Sequence, residues 1–159
     1  MPTRFLAADI AFVSANDGFV VGGIGQMLRT HDGGATWSYT RLGVDVLHNG
    51  IAVVDTSSLV IAGSEGTILR SHDRGASWQR IATGTTQHLR DVAFADASLG
   101  IAVGMWGTVL VTEDGGRSWR SENSGTSQHL TNVGFDSAAN AIATSADATI
   151  PVRRPAHAN

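Results

Sequence analysis

The chain repeats itself every 41 residues, and this period constrains its fold more than any other feature. Three segments with the pattern S/T-x-D-x-G-x-S/T-W end at Trp37, Trp78 and Trp119, each 41 residues after the last. Pairs of apolar residues share the step and extend it to a fourth copy: Ile10/Phe12, Ile51/Val53, Val92/Phe94 and Val133/Phe135. Independent features with one period indicate a repeat architecture.

Each repeat has the pattern of four short β-strands. In the third copy, short apolar and β-branched segments lie at 91–96, 100–104, 108–112 and 118–121, separated by Gly, Asp, Asn and Ser. About 41 residues for a four-stranded antiparallel meander is typical of a β-propeller blade. The sequence therefore predicts an all-β propeller with three complete blades and a partial fourth, at approximately 7–41, 48–82, 89–123 and 130–153.

Composition excludes several functions. The chain has 11 basic and 14 acidic residues and a net charge of -3, which gives no basis for nucleic-acid binding. It has no cysteine, so disulfides, thiolate metal sites and a cysteine nucleophile are absent. Asp9 interrupts the apolar N-terminal segment, and no apolar run approaches the ~20 residues of a membrane span. We expect no signal peptide and no membrane insertion, and the compartment stays undetermined.

The repeated S/T-x-D-x-G-x-S/T-W segment predicts a structural turn. Its aspartate can accept backbone N–H groups, its glycine permits a positive φ, and its tryptophan can fold back between sheets. One such aspartate per blade, at the rim, cannot converge with the others into a catalytic or Ca²⁺ site, so we predict no catalytic residue and no metal. The residues concerned are Asp32, Gly34, Trp37, Asp73, Gly75, Trp78, Asp114, Gly116 and Trp119.

This segment is the Asp-box, and over residues 6–145 the chain resembles the propellers related to photosystem II assembly factors. It is similar, more distantly, to sialidases and other Asp-box (BNR) proteins. The resemblance implies a non-enzymatic scaffold that contacts a polypeptide and needs no cofactor. A sialidase would need an arginine cluster and a tyrosine nucleophile, whereas the one tyrosine, Tyr39, lies two residues after the end of a box. The alternatives are a carbohydrate-binding or glycoside-hydrolase-like module, and a truncated propeller without independent function.

The turns between the second and third strands are the candidate binding surface. Glycine pairs frame them at the common period, while their contents differ: Ile24 in the first, Glu65 in the second, Met105 and Trp106 in the third. An exposed tryptophan on a rigid scaffold is a candidate for binding. The other interpretation is that Trp106 covers the mouth of the central channel. Arg90 lies close to these turns in the sequence, and we include it in the candidate binding surface.

Three histidines, His48, His88 and His129, recur just before the innermost strand, 40 and 41 residues apart. A zinc site would need their side chains within a few ångströms, whereas equivalent positions of packed sheets are ~10 Å apart. We therefore predict polar turn residues that form local hydrogen bonds at the channel mouth, with no metal.

The fourth repeat lacks its box, which predicts an arc at 1–147 followed by a degenerate C-terminal tail at 148–159. An open arc exposes apolar faces and strand edges, both liabilities for aggregation. Three solutions exist: closure of a four-bladed monomer by residues 2–6 as a strand, a two-chain ring, or a fragment of a longer chain. The small residues of the innermost strands favour the shallow blade angle of a homodimeric ring.

Overall fold

In the computed structural model, which describes residues 5–137 and 139–152, the chain forms four antiparallel sheets in sequence order. Among these residues three sheets have four strands and the fourth has three. Each strand pairs with the next one along the chain, so every sheet is a simple meander. The all-β propeller architecture predicted from the 41-residue period is therefore confirmed. We call the sheets blades 1 to 4.

The strand bounds follow the repeat closely. Blade 1 contains β1 (Ala7–Phe12), β2 (Gly18–Gly22), β3 (Gln26–Thr30) and β4 (Ser38–Arg41). Blade 2 contains β5 (His48–Val53), β6 (Leu59–Gly63), β7 (Ile68–Ser71) and β8 (Gln79–Ile81). Blade 3 contains β9 (Leu89–Phe94), β10 (Gly100–Gly104), β11 (Thr108–Thr112) and β12 (Arg120–Asn123). Blade 4 contains β13 (Asn132–Phe135), β14 (Ala141–Thr144) and β15 (Thr149–Val152).

The first strands of the four blades lie together at the centre. β1 contacts β5, β5 contacts β9, and β9 contacts β13. Two aspartates tie these strands across the blades: Asp9 accepts the N–H of Ile51 at 2.8 Å, and Asp91 accepts that of Val133 at 2.8 Å. Burial raises the pKa of Asp91 although the N–H groups of Val133 and Val92 donate to its carboxylate, and the nearby negative charge of Asp9 adds to the effect.

The core is divided into three clusters, one at each contact between consecutive blades. Between blades 1 and 2, Phe19, Val21 and Met27 pack against Ile51 and its neighbours in blade 2, and the three blade 1 residues have no exposed surface. No blade has a core of its own, because a single sheet can bury its apolar faces only against another layer. Each blade is therefore stabilised by its neighbours.

The Asp-boxes are turns held by their own polar side chains. In the third box, Asp114 accepts the N–H of Ser118 at 2.9 Å, the hydroxyl of Ser118 at 2.6 Å and the hydroxyl of Thr112 at 2.8 Å. Partial burial raises the pKa of Asp114, but the hydrogen bonds from Ser118 and Thr112 outweigh it, so the pKa is lowered. In the first box, hydrogen bonds led by those from Thr36 lower the pKa of Asp32 to about 2.

The two ends of the arc were predicted to be a closing strand at 2–6 and a degenerate tail at 148–159. Strand β15 pairs with β14, so Thr149–Val152, which the sequence assigned both to the partial blade and to the tail, lies in blade 4. Residues 153–159 of that tail lie outside the described residues, as does most of the predicted closing strand at 2–6. Its described part, residues 5 and 6, is not in a strand. No helix among the described residues has the length and apolar character needed to cross a membrane.

We predict that Asp114→Ala lowers the free energy of unfolding by about 1 to 2 kcal/mol, because it removes the acceptor of three hydrogen bonds in one turn. Urea denaturation at pH 7 measures the effect. The control is Glu113→Ala, the exposed neighbouring acid, which we expect to change stability by less than about 0.5 kcal/mol. Equal effects of the two substitutions would contradict the role assigned to the turn.

The lowered pKa of Asp114 fixes the sign of a pH effect. A carboxyl group whose folded pKa lies below its unfolded value stabilises the fold above the unfolded value, about pH 3.8, and this contribution is lost as pH falls through the folded pKa. We therefore expect the stability difference between wild type and Asp114→Ala to shrink on acidification below about pH 4. Melts of both proteins between pH 6 and pH 3 check this, and a constant difference would contradict it.

Candidate functional site

The candidate surface consists of the turns between the second and third strands, with the residues that precede the first strand of the next blade. We call it the turn face. Ile24, Glu65 and Trp106 stand at the turn tips, 41 residues apart, and all three are exposed. Glu65 and Trp106 each have a φ of 57°, in the left-handed region. Bulky L-residues adopt this conformation at a cost of about 1 to 2 kcal/mol.

Each turn tip contacts the segment that leads into the next blade. The N–H of Glu65 donates to Nδ1 of His88 at 3.2 Å, and the N–H of Trp106 donates to Nδ1 of His129 at 3.0 Å. In blade 1, Ile24 forms an isolated β-bridge with Leu47 instead. Because a backbone N–H can only donate, Nδ1 is the acceptor in both histidines, which leaves Nε2 to carry the ring N–H. The turn face therefore carries two imidazole N–H donors.

Trp106 is held from both sides. On one side the N–H of Met105 donates to the carbonyl of His88 at 2.9 Å, and on the other the N–H of Gly107 donates to the carbonyl of Gln128 at 2.7 Å. The Trp106 ring meets the His129 ring edge to face, with centroids 4.5 Å apart. Even so, 65% of Trp106 is exposed. The structure thus presents a large aromatic surface on a fixed backbone.

The structure does not bring His48 into this surface. In the repeat, the residue of blade 2 that is equivalent to His88 and His129 is Leu47, not His48. His48, one residue later, is equivalent to Leu89 and Leu130 of the next two blades. All three are fully buried. Neither ring nitrogen of His48 has a hydrogen-bond partner among the described residues. The expectation of a polar turn residue at the channel mouth is wrong for His48, because a one-residue offset on a strand turns the side chain inward.

The remaining candidates are Arg90 and Met105, in blade 3. Arg90 is exposed in β9, at the point where the register with β10 shifts, and Met105 is partly buried beneath the turn. Beside Glu65 a hollow of about 350 Å³ is lined by Arg80, Thr83 and other residues of the same blade. Within the described ranges, no three His, Asp or Glu side chains are grouped so that they could hold a metal ion. Sequence reasoning missed the pairing of turn tips with histidines, although both follow the same period.

The chain matches the profile of a known protein family. The profile of the family described as photosynthesis system II assembly factor YCF48 matches residues 1–85 and 77–146. The chain belongs to this family. Among curated proteins no match was found. The family assignment agrees with the resemblance that the Asp-boxes carried.

Solved structures of YCF48 proteins share the fold. One, YCF48 bound to a D1 peptide, superposes with a TM-score of 0.77 at 22% identity, over 92% of this chain and 48% of that one. YCF48 from Cyanidioschyzon merolae gives a TM-score of 0.78 at 23% identity, over 98% and 55%. The chain therefore spans about half the length of these relatives. A GH74 xyloglucanase from Xanthomonas campestris, at 14% identity and a TM-score of 0.68, covers 89% of this chain and 27% of that one and shares the fold alone.

The burial of His48 predicts a pH-dependent stability. Desolvation lowers the pKa of His48 to about 4, below the ordinary value of 6.5. As pH falls below 6.5 the unfolded chain takes up a proton that the folded chain does not, so stability is lost between pH 6.5 and 4. From these two values the loss between pH 7.5 and 5 is about 2 kcal/mol.

Replacing His48 with leucine tests this assignment. We expect His48→Leu to fold, to be more stable than wild type and to lose less stability between pH 7.5 and 5, as measured by urea denaturation. His72→Leu is the control, because His72 is exposed in a box turn. If His48→Leu and wild type lost stability in parallel over this range, the buried neutral imidazole would not be the cause.

Proposed function

We propose that the chain is a non-enzymatic binding propeller whose turn face holds a segment of another polypeptide. The observation that carries the proposal is Trp106, a tryptophan in left-handed backbone with most of its surface exposed. Such strain at a surface turn points to a function, because a glycine or asparagine would fit the same turn at lower cost. Tryptophan is also enriched at the energetic centre of protein interfaces.

The surroundings of Trp106 suit a peptide. His129 and His88 offer imidazole N–H donors for backbone carbonyls, and Arg90 offers a positive charge on the same face. Ile24 adds an exposed apolar side chain. The family assignment and the YCF48 structure with a D1 peptide support a polypeptide as the ligand. A D1-type peptide is therefore the first probe to test.

A carbohydrate ligand is the competing hypothesis, since a GH74 xyloglucanase shares the fold. Glycan recognition combines an aromatic platform with convergent carboxylates or amides, as glycoside hydrolysis requires a carboxylate pair. At Trp106 the ring in contact is the imidazole of His129. Two acids stand at turn tips of this face in the neighbouring blades: Glu65 in blade 2, and Asp147 in blade 4, which lines a hollow together with His129. Because these two acids belong to turns two blades apart, they do not resemble the close carboxylate pair of a glycoside hydrolase, and together with the family assignment this favours the polypeptide.

The experiment measures binding of overlapping synthetic D1 peptides of about 15 residues by fluorescence anisotropy. We expect Trp106→Asn to weaken binding of the selected peptide at least 30-fold, the effect of losing about 2 kcal/mol at an interface centre. Because asparagine tolerates left-handed backbone, we expect the free energy of unfolding to stay within about 1 kcal/mol of wild type. A large loss of stability would instead show that Trp106 serves as a cover.

Two controls keep the outcome clear. Tyr39→Ala removes another exposed aromatic, on β4 away from the turn face, and should bind like wild type. Xyloglucan oligosaccharides are titrated in parallel. Saturable xyloglucan binding that depends on Trp106, together with no binding by any D1 peptide, would overturn the proposal in favour of the carbohydrate hypothesis.

A further inference from the structure

We propose that His88 and His129 form a pH-sensitive switch on the turn face. In the neutral form each ring holds the turn tip of the preceding blade, and protonation releases that tip. One of the two tips is Trp106, so acidification weakens ligand binding while the propeller stays folded. This effect on binding rests on the proposed function, whereas release of the tips is measurable without a ligand.

Both contacts require a neutral imidazole. The N–H of Glu65 lies 3.2 Å from Nδ1 of His88, and the N–H of Trp106 lies 3.0 Å from Nδ1 of His129. Each Nδ1 must offer its lone pair, since a backbone N–H has no acceptor capacity. An imidazolium carries a hydrogen on both ring nitrogens, so its Nδ1 would face a second donor. Uptake of one proton therefore abolishes the hydrogen bond.

Blade 1 shows what a turn tip does without a histidine. Glu65 and Trp106 have a positive φ of 57°, whereas Ile24, at the equivalent position, is not among the non-glycine residues with positive φ. Leu47 replaces the histidine there, and it forms an isolated β-bridge with Ile24. The two left-handed tips are thus the two whose N–H groups a histidine accepts.

The tip therefore has a second conformation available. A non-glycine residue stays in the left-handed region only where contacts hold it, and the hydrogen bond to Nδ1 is such a contact. The residues on either side of Trp106 stay in place, because Met105 and Gly107 donate to the backbone carbonyls of His88 and Gln128, which do not titrate. Protonation therefore changes the tip and leaves the blades packed.

His129 has an acid on its far side. The blade 3 turn has no charged side chain, but Asp147 of the blade 4 turn lines a hollow of about 270 Å³ together with His129. Rotation of the imidazolium toward Asp147 would break its edge-to-face contact with Trp106. The attraction of a cation to the indole ring opposes this rotation, but it does not restore an acceptor at Nδ1.

His88 has charges of both signs nearby. Glu65 of the blade 2 turn donates to its ring, and Arg80 of β8 lines a hollow with Glu65. Arg90 lies two residues further along the chain, in β9. The blade 3 turn, which contacts the carbonyl of His88, brings no charge. The carboxylate of Glu65 is thus the group that an imidazolium at position 88 can meet.

The reference protein for the test is His48→Leu. Imidazole is the side chain whose charge changes between pH 5 and 8. Acid also destabilises the whole fold through buried His48, and global unfolding would release every turn. The His48→Leu chain removes this second effect, and wild type is measured beside it. Circular dichroism at each pH verifies folding.

The first measurement is amide hydrogen exchange by NMR on the ligand-free chain at pH 7.5 and 5.5, corrected for the intrinsic pH dependence of exchange. We expect the protection of the Glu65 and Trp106 amides to fall at least about 5-fold, the effect of losing one hydrogen bond. The amides of Ser64 and Met105 are internal controls, because they donate to backbone carbonyls, and they should change less than about 2-fold.

Asparagine variants test whether the histidines cause the effect. His88→Asn and His129→Asn each supply a side-chain oxygen that accepts a hydrogen bond and does not titrate. We expect the protection of the corresponding tip to become independent of pH in each variant. His72→Asn, in an exposed box turn, is the matched control and should keep the response of the reference protein. An unchanged response in the two asparagine variants would overturn the assignment to these histidines.

The second measurement is the Kd of the selected D1 peptide, free of histidine and with a label that does not titrate, at the same two pH values. We expect binding to the reference protein to weaken at least about 10-fold at pH 5.5, and the double asparagine variant to change less than about 2-fold. The comparison uses the ratio of the two Kd values, since both histidines belong to the binding face.

The outcomes separate the two proposals. Ring ¹⁵N shifts report when Nδ1 is protonated, and constant protection of Trp106 with a protonated His129 would overturn the switch. Tips that open together with pH-independent peptide binding would overturn its control of the ligand. Tips that open while no D1 peptide binds at either pH would support the switch and contradict the proposed function.

Discussion

The structure depends on contact between consecutive blades, because a four-stranded sheet one layer thick has no interior. Its apolar residues point to both sides and leave water only when another sheet covers them. This is why the buried residues sort into three clusters that each belong to two blades.

Polar contacts fix the geometry that apolar packing leaves free. Apolar contact is non-directional and tolerates sliding of one sheet over another. Asp9 and Asp91 hold the central strands in register through backbone hydrogen bonds, and His88 and His129 hold the turn tips of the preceding blades. As a result the turn face is a rigid surface made of loops.

This rigidity has a functional consequence. A binding residue on a fixed backbone loses little conformational entropy when it meets its ligand. In the proposed function Trp106 would have this property, because hydrogen bonds on both sides hold the residues beside it in the chain. The Asp-boxes have a different role, which is to stabilise the blades. Their aspartates use their acceptor capacity within their own turns, which suits turns that stabilise the blade.

The sequence alone determined the repeat, and with it the fold class and the placement of the boxes. These follow from local patterning, since a 41-residue period and strand alternation need no knowledge of distant contacts. It also singled out Trp106, His88 and His129. Only the tertiary structure showed that His48 is buried. Its side-chain direction depends on the register of β5, and His48 is offset by one residue from the positions of His88 and His129 in the repeat. Likewise the pairing of turn tips with histidines exists only once the blades pack, because it is a contact between residues far apart in the chain.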